Sequence, residues 1–392
     1  MTENPCDRKQ FVALTLDPVH VGTGGYRLGH VDNTILRECG TNLPKIPGSS
    51  VNGVLRAYTA MAIQAKAESD AEKSGKHYSS PAVFKDSDGL LKLDCGLYRK
   101  MTYLRPVYVR LKGETEDKEI ALVCSDADGK PLPEIDDKTK KQKFESCAGK
   151  GGDKGETHCG RADCPVCVAF GFSKGEKGGF QGLVQFYDMR ILMFPVYSSS
   201  GPVWITAPGV LQESGVLNPG NISAIQEGTF QTAKKDLPDS IYIGGYEYRN
   251  ESKESLASES EEKFKLPSSV TDRLLVFDDA TFGRLVNDNL EVRTSVAINP
   301  ETGAAEDGAL FTYEAIPRAT VLWFDVIYNR PEFFRINGEK IGFTIEELEQ
   351  NITRGMRLLE DLGIGGMNTR GMGRLRVLNL QEAENREGAD EH

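Results

Sequence analysis

The stretch Lys45-Ile-Pro-Gly-Ser-Ser-Val-Asn-Gly-Val-Leu-Arg56 predicts the start of a helix and constrains the fold more than any other part of the chain. One of its two serines can cap the helix, because a serine hydroxyl accepts a hydrogen bond from a free N–H of the first turn. Val51, Leu55 and Tyr58 are spaced to lie on one apolar face. The helix dipole places positive potential at the serine turn, so a phosphate group would bind there.

Two glycine-rich segments lie near the two ends of the chain. The first is His20-Val-Gly-Thr-Gly-Gly25, which leads to Val31-Asp32-Asn33, and the second is Gly363-Ile-Gly-Gly-Met-Asn-Thr-Arg-Gly-Met-Gly-Arg374. Glycines allow a backbone to approach a phosphodiester closely, and Lys and Arg supply the opposite charge. For any single glycine, a tight turn or a helix C-cap is the more common explanation. Together with the helix start, the segments predict a polyanion site formed by Gly22, Gly24, Lys45, Ser49, Ser50, Asn52, Arg56, Gly365, Gly366, Arg370, Gly371 and Arg374.

The composition indicates a soluble protein with a real core. The chain has 392 residues, of which 39% are hydrophobic, and a formal net charge of −11. Its apolar stretches are too short to span a bilayer, and the start shows no signal-peptide pattern, so we expect a cytoplasmic protein without a membrane partner. Much of the acid lies in a predicted disordered loop at 250–265 and a tail at 381–392. Local basic grooves remain possible on the rest of the surface.

The order of predicted elements favours an α+β fold. Strand patterns occur at Phe11–Leu16 and Val31–Arg37, return from Gly182, and recur up to Arg374–Leu378. Thr344 with Glu347 forms a capping box for a late helix, which Gly363 ends. This order fits a ferredoxin-like core of the kind found in the RRM, within one domain that carries polar insertions at about 65–100 and 115–180.

A cluster of cysteines lies within the second insertion. Cys147, Cys159, Cys164 and Cys167 are close in sequence, and the last two form Cys-Pro-Val-Cys. Four thiolates, or three with His158, match a tetrahedral structural zinc site in a cytosolic chain, although a Cys-x-x-Cys pair alone would equally suggest a redox pair. Because His158 and Cys159 are adjacent, the sequence leaves open which of them is the ligand. We predict a structural zinc that stabilises an insertion and does no chemistry.

Several other chemistries are excluded by the motifs. The segment from Gly363 lacks the last glycine of a dinucleotide fingerprint and precedes a strand, whereas that fingerprint precedes a helix. The loop from His20 to Gly25 contains no Gly-Lys-Ser/Thr, so a P-loop is improbable. No serine or cysteine nucleophile arrangement is present. Asp32, directly after the first glycine loop, is the one acid that stands out, although on composition alone an aspartate before an asparagine is more often a turn former or a cap.

Taken together, these segments resemble the RAMP superfamily, the RNA-binding subunits of CRISPR effector complexes. The order His-Val-Gly, Val-Asp-Asn, Ile-Pro-Gly-Ser-Ser and Gly-Val-Leu-Arg is similar to the family's N-terminal pattern, and Arg370-Gly-Met-Gly-Arg374 is similar to its C-terminal glycine loop. The stretches Asp188 to Pro208 and Asp307 to Pro317 resemble the type III-B (Cmr) backbone subunit more than the type III-A one. The likeness extends from about residue 11 to 378.

The resemblance implies a fold and an activity. It implies an RRM-like palm that holds guide RNA, insertions that form fingers, and a thumb hairpin at about 290–317 that parts a guide–target base pair. Asp32 matches the catalytic aspartate of such proteins, His20 matches a histidine of the same loop, and Tyr313 or Glu314 lies in a segment that approaches from the other side. Lysine is common in the family at the position of Asn52. The expected activity is cleavage of complementary target RNA with Mg²⁺ or Mn²⁺, with Asp32 acting as base or as metal ligand.

The expected partners are guide RNA, target RNA, further copies of this chain and other CRISPR effector subunits. One alternative is a structural backbone subunit that binds guide RNA and cuts nothing. Another is a stand-alone endoribonuclease that processes guide RNA, a branch that usually lacks the cysteine cluster. A zinc-ribbon DNA-binding protein is disfavoured by the single cysteine cluster and the acidic balance.

Overall fold

A computed structural model describes residues 4–24, 31–73, 78–80, 83–85, 91–93, 109–111, 118–120, 124–125, 131–132, 147–148, 158–173, 178–216, 225–232, 237–251 and 264–380. The predicted acidic tail at 381–392 lies outside these residues, as do most of the acidic loop at 250–265 and much of the two predicted insertions. The chain forms two compact units that interleave along the sequence. The first comprises 1–8, 52–185 and 327–356, and the second comprises 9–51, 186–326 and 357–392.

The fold is mixed α/β, which confirms the prediction at that level. The strands are β1 (Cys6–Thr15), β2 (Lys45–Ile46), β3 (Tyr78–Ser80), β4 (Val83–Lys85), β5 (Leu91–Leu93), β6 (Val109–Leu111), β7 (Lys118–Ile120), β8 (Cys124–Ser125), β9 (Pro131–Leu132), β10 (Phe172–Ser173), β11 (Gly179–Phe180), β12 (Val184–Phe186), β13 (Met189–Ser198), β14 (Gly201–Thr206), β15 (Thr229–Thr232), β16 (Ser240–Ile243), β17 (Tyr246–Asn250), β18 (Leu274–Val276), β19 (Glu291–Ile298), β20 (Ala305–Ala315), β21 (Val321–Asn329), β22 (Arg335–Ile336), β23 (Glu339–Lys340) and β24 (Leu375–Val377). The α-helices are α1 (Gly48–Lys73), α2 (Pro165–Phe170), α3 (Pro208–Ser214), α4 (Ser268–Thr271), α5 (Asp279–Asp288), α6 (Ile345–Arg357) and α7 (Leu359–Leu362).

The second unit contains a closed ring of strands. Successive pairings run β13, β14, β18, β15, β17 and β16, and β16 pairs back with β13 to close a barrel of six strands. The interior is apolar, with Ile205, Phe230, Ile243 and Leu275 fully buried. Burying such side chains contributes about 1.5–3 kcal/mol each.

A second run of strands shares β13 with the barrel and continues through β21 and β1 to β24. The pairing of β1 with β24 is antiparallel, with Thr15 opposite Leu375. This pairing joins the beginning of the chain to its end, so it brings the two glycine-rich segments to the same part of the second unit.

In the first unit, helices α1 and α6 approach each other closely at Gly355. A Cβ atom on Gly355 would lie 2.4 Å from Thr59 Oγ1 and 3.0 Å from the Thr59 backbone nitrogen. Only a residue without a side chain permits this approach. The hydroxyl can rotate away, but the backbone nitrogen cannot.

Several sequence predictions can now be compared with the structure. The capping box is confirmed, because Thr344 N donates to Glu347 Oε2 at 2.9 Å and Glu347 N donates to Thr344 Oγ1 at 3.3 Å. Helix α1 continues to Lys73, so the insertion predicted from about residue 65 begins within this helix, and its extent stays a prediction. The strand predicted at Val31–Arg37 is wrong, because the segment forms only isolated bridges.

Across the described residues, no helix combines the length and apolar character that a membrane crossing requires.

We predict opposite effects of two glycine-to-alanine substitutions on stability. Gly355→Ala should lower the free energy of unfolding by about 1–3 kcal/mol, because the added methyl group meets the Thr59 backbone. Gly53→Ala is the matched control: an added Cβ at this α1 position meets nothing within 4 Å, so the change should raise stability by about 0.5–1 kcal/mol. Chemical denaturation of the two variants measures both effects, and equal shifts would contradict the close helix approach.

Candidate functional site

Asp32 is an exposed carboxylate held by one residue of a neighbouring strand. Its Oδ2 accepts hydrogen bonds from Thr312 N at 2.7 Å and from Thr312 Oγ1 at 3.0 Å. The Thr312 hydroxyl also accepts one from Asp32 N at 3.1 Å. The backbone and side-chain hydrogen bonds from Thr312 hold the pKa of Asp32 below its usual range. The carboxylate is therefore ionised at neutral pH, and its Oδ1 accepts no hydrogen bond from another described residue.

The backbone of the Val-Asp-Asn loop is attached to β20 as well. Asn33 N donates to Thr312 O at 3.0 Å, and Glu314 N donates to Asn33 O at 3.0 Å. Asn33 and Tyr313 form a parallel bridge. The loop thus lies along β20 like a short added strand.

His20 is attached to the same strand two residues further along. Its Nδ1 lies 2.6 Å from Glu314 O, and its ring meets the Tyr313 ring edge-on with 5.8 Å between centroids. The His20 side chain is buried, as is Tyr313. Residues 312 and 314 are about 7 Å apart along a strand, so the structure brings His20 and Asp32 to neighbouring positions of β20.

The second glycine segment packs against the first. Gly366 N donates to His20 O at 2.9 Å, and Gly373 N donates to Pro18 O at 2.8 Å. Gly365 has a φ of 90°, and a Cβ there would lie 2.4 Å from His20 O. A side chain at this position would separate the two segments, so the glycine is required by the contact itself.

The predicted basic residues of the second segment differ in their partners. Arg370 is exposed and, within the part of the chain that the structure describes, its guanidinium has no hydrogen-bond or ion-pair partner. Arg374 donates from Nε to Asp17 at 2.5 Å, and this contact raises the pKa of the arginine. Gly371 and Gly24 both have positive φ, at 76° and 78°. Of these two guanidinium groups, that of Arg370 is the more available to a phosphate.

The helix start that the sequence assigns to phosphate already holds an internal carboxylate. Asp188 Oδ1 accepts from Gly48 N at 2.8 Å, and its Oδ2 accepts from Lys45 Nζ at 2.6 Å. Burial opposes ionisation of Asp188, but the bonds from Lys45 and Gly48 outweigh it and hold its pKa below the usual range. Ser49 and Ser50 lie in the first turn of α1. An RNA role for Lys45, Ser49 and Ser50 stays a prediction.

Glu314 takes part in a half-buried ion pair. Both carboxylate oxygens accept from Arg37 Nη2, at 3.1 and 3.0 Å, and Oε2 also accepts from Ile35 N at 3.3 Å. Arg37 donates further to Asn287 Oδ1 at 3.0 Å. A catalytic role for Glu314 or the buried Tyr313 stays a prediction, and these contacts favour a role in holding the site together.

Arg56 is engaged with the cysteine cluster in the first unit. Its Nε donates to Cys147 O at 2.8 Å, and its Nη2 donates to Gly171 O at 2.5 Å and lies 3.3 Å from His158 Nδ1. Its guanidinium also lies over the Phe170 ring. These partners favour a structural role for Arg56, so its predicted RNA contact stays a prediction, as does that of half-buried Asn52.

The four cysteines form a compact cluster that could hold a metal ion. All four sulfur atoms, of Cys147, Cys159, Cys164 and Cys167, lie within 4.8 Å of one another. The Cys167 sulfur is 3.6 Å from those of Cys159 and Cys147. Thiolates bound tetrahedrally to zinc at about 2.3 Å lie about 3.8 Å apart, so the donor set fits such an ion. His158 does not belong to the cluster, which favours Cys159 as the fourth ligand.

Backbone N–H groups point at these sulfurs. Cys164 caps α2, where its Sγ accepts from Cys167 N at 3.4 Å, and Cys147 Sγ accepts from Cys159 N at 3.5 Å. Burial raises the pKa of the Cys164 thiol well above its usual value. A bound cation would offset that burial by stabilising the thiolates.

Comparison with known protein families places the chain in one class. The family model described as the RAMP superfamily matches residues 13–376. The chain belongs to the RAMP superfamily.

One relative and two solved structures are similar to this chain. The chain is 28% identical over 235 residues, 53% of its length and 72% of the relative's, to the CRISPR system Cmr endoribonuclease Cmr4 of Pyrococcus furiosus. It also resembles a chain in a cryo-EM structure of the type III-B Cmr-beta bound to cognate target RNA, with 14% identity, a TM-score of 0.51 and coverage of 95% of this chain and 97% of that one. The apo-state Cmr-beta structure gives 13% identity, a TM-score of 0.50 and coverage of 94% and 96%.

Sequence reasoning missed two residues of the site. Thr312 holds Asp32, and Arg37 pairs with Glu314, yet the sequence alone indicates neither residue as part of the site. Their partners are far away in the sequence, with 280 positions separating Asp32 from Thr312. The one available signal was that Thr312 stands two residues before Glu314 in the same strand.

We predict that Glu314→Gln destabilises the protein. The substitution leaves the Arg37 guanidinium without its anionic partner, and the two side chains are only 14% and 16% exposed. We expect the free energy of unfolding to fall by about 3 kcal/mol. The double variant Arg37→Met with Glu314→Leu should recover much of that loss, because it removes both charges. Denaturation of the three proteins measures the effect, and an unchanged Glu314→Gln variant would contradict the ion pair's structural role.

Proposed function

We propose that this chain is a backbone subunit of a type III CRISPR effector, binds guide RNA, and cleaves complementary target RNA as a metal-dependent endoribonuclease. The observation that carries the proposal is the meeting of three RAMP segments at one ionised, exposed carboxylate. Gly366 contacts His20, and both His20 and Asp32 are attached to β20. The relative named as an endoribonuclease supports the same activity. The proposed partners are guide RNA, target RNA, further copies of this chain and other effector subunits, in the cytoplasm.

The proposal includes a ferredoxin-like palm. In chain order, β1, α1, β13, β21, α6 and β24 follow the βαββαβ pattern of that fold. The sheet order β13, β21, β1, β24 agrees with it. The barrel strands β14 to β18 and the hairpin β19–β20 are then insertions between the second and third strands of the palm. A single RAMP domain with insertions remains the proposed organisation.

The β19–β20 hairpin is the proposed thumb. Its predicted range of 290–317 contains both strands, and it carries exposed apolar side chains at Val292, Val296, Ile298 and Leu310. Val296 is opposite Leu310, and Leu310 shares a strand face with Thr312 because the two are separated by two positions. An apolar pair of this kind suits a hairpin that enters a guide–target duplex and parts a base pair.

Cleavage at this site needs no nucleophile from the protein. The 2′-hydroxyl beside the scissile phosphate can attack in line once its nucleotide leaves regular A-form geometry. Correct alignment of an intramolecular reaction is worth about 7 kcal/mol or more. Asp32, ionised and exposed, either accepts the hydroxyl proton or binds a divalent cation, and His20 fixes the loop through Glu314 O.

Asp32 would hold the divalent ion through its free oxygen together with oxygens of the RNA. Magnesium is commonly bound by one or two carboxylates with substrate phosphates. When bound, Mg²⁺ or Mn²⁺ would stabilise the charge that develops on the phosphate. Oxygens of the RNA would then complete the coordination of the ion.

We further propose that the cysteine cluster binds structural zinc. The four sulfurs lie within 4.8 Å of one another, and no His, Asp or Glu among the described residues belongs to this group of ligands. Four thiolates fill a tetrahedral shell and leave no position for a catalytic water. The ion would therefore stabilise the insertion and take no part in cleavage.

Simple assays distinguish the proposed function from two related functions. A non-cleaving backbone subunit would share every feature except a working Asp32, so matched target RNA with Mg²⁺ or Mn²⁺ distinguishes it. A guide-processing endoribonuclease would cut repeat RNA without partner subunits. The exposed and ionised carboxylate of Asp32 favours the subunit that cleaves target RNA.

We predict that Asp32→Ala abolishes target cleavage and preserves binding. The variant removes the ionised carboxylate, while guide–target base pairing supplies target affinity. Complexes assembled with guide RNA are compared by target affinity and by cleavage of labelled RNA with Mg²⁺ or Mn²⁺. Asp239→Ala, which removes an exposed carboxylate beside β16, serves as control and should cut normally. Undiminished cutting by Asp32→Ala would remove this residue from the mechanism.

We predict that the protein purifies with about one zinc per chain. Combining Cys164→Ser with Cys167→Ser should release the metal and lower the melting temperature, because metal binding contributes folding free energy. Cys39→Ser, at an exposed thiol outside the cluster, should retain both zinc and stability. Elemental analysis and thermal unfolding give the two readouts, and a folded wild-type protein without zinc would refute the assignment.

A further inference from the structure

We propose that Thr312 is the positioning residue for Asp32, and that through it the cutting carboxylate is carried by the β19–β20 hairpin. This inference rests on the proposed cleavage function. In this inference, the Thr312 hydroxyl determines which oxygen of the Asp32 carboxylate faces the RNA.

The hydrogen bonds between Thr312 and Asp32 fix the carboxylate in one orientation. Thr312 Oγ1 donates to Asp32 Oδ2 at 3.0 Å and accepts from Asp32 N at 3.1 Å. A hydroxyl can do both at once, whereas an alkyl group can do neither. The Thr312 backbone N–H adds a third bond to Oδ2 at 2.7 Å. Since Oδ2 receives two donors, Oδ1 is the oxygen that remains for a proton or a cation.

The exposure of Asp32 makes this hydrogen bonding necessary. Asp32 lies at the surface, and within the described chain Thr312 is the only other residue that hydrogen-bonds its carboxylate. An exposed aspartate without partners would sample several rotamers. A misplacement of 1 Å can cost about 100-fold in rate. The threonine clamp therefore supplies the fixed geometry that burial supplies in a closed active site.

The backbone of the Val-Asp-Asn loop is also attached to β20. Asn33 is hydrogen-bonded on both sides, to Thr312 O and to Glu314 N. The backbone bonds and the Thr312 clamp together join the Val-Asp-Asn loop to β20, which is one strand of the hairpin. When the hairpin enters a duplex, Asp32 moves with it. Parting of the base pair and placement of the carboxylate become one event.

The test compares Thr312→Val, Thr312→Ser and the control Thr294→Val in complexes assembled with guide RNA. Valine keeps the shape and the backbone N–H but removes the hydroxyl, and serine restores it. Thr294 is opposite Thr312 in the same hairpin, is exposed, and makes no side-chain hydrogen bond with the described residues. Each complex is assayed for target affinity, for the single-turnover cutting rate at saturating target, and for fluorescence of 2-aminopurine placed at the parted base pair.

We expect Thr312→Val to cut about 10- to 100-fold more slowly, with target affinity and 2-aminopurine fluorescence equal to wild type. Thr312→Ser and Thr294→Val should cut at rates close to wild type. If Thr312 had a purely structural role, its loss would reduce base displacement together with cutting. A loss of cutting alone therefore distinguishes a positioning role from a structural one.

Four results would overturn the inference. Wild-type cutting by Thr312→Val would show that the hydroxyl is dispensable, while the proposed function would stand. An equal loss in Thr312→Ser, or a parallel loss of 2-aminopurine signal in Thr312→Val, would show that shape or hairpin folding is responsible. A wild-type complex that fails to cut matched RNA would remove the proposed function and this inference with it.

Discussion

The pairing of β1 with β24 is the interaction on which the candidate site depends. It sets Thr15 opposite Leu375 and so aligns the segments that follow β1 and precede β24. The contacts from Gly366 to His20 and from Gly373 to Pro18 then form in the same region. Because residues from both ends of the chain are needed, the site exists only in the folded protein, and local structure alone cannot produce it.

A second constraint is the convergence on β20. This strand holds Asp32 through Thr312, receives His20 through Glu314 O, and continues into the hairpin. The ion pair of Glu314 with Arg37 stabilises the segment beyond the loop. One strand thus links the proposed RNA-parting element, the proposed cutting group and the glycine-rich end of the chain.

The sequence predicted those parts of the site that local composition encodes. Glycines next to basic residues, an aspartate after a glycine loop, and four closely spaced cysteines are all visible in a single sequence. Partners far apart in the chain are not visible. Nothing local shows that Arg56 contacts the cysteine cluster, that Lys45 pairs with Asp188, or that Thr312 holds Asp32. The helix α1 extends to Lys73 because its alanine-rich continuation has high helix propensity despite its polar character.

The closed barrel limits how neighbouring subunits can associate through their strands. A ring of strands offers no unpaired edge along its circumference, so neighbouring molecules cannot extend it by strand addition. In the proposed assembly, in which copies of this chain line up on one guide RNA, the local concentration of subunits is very high. Closure of the ring removes the barrel strands, though not the edge strand β24, as sites where those subunits could polymerise through sheet extension.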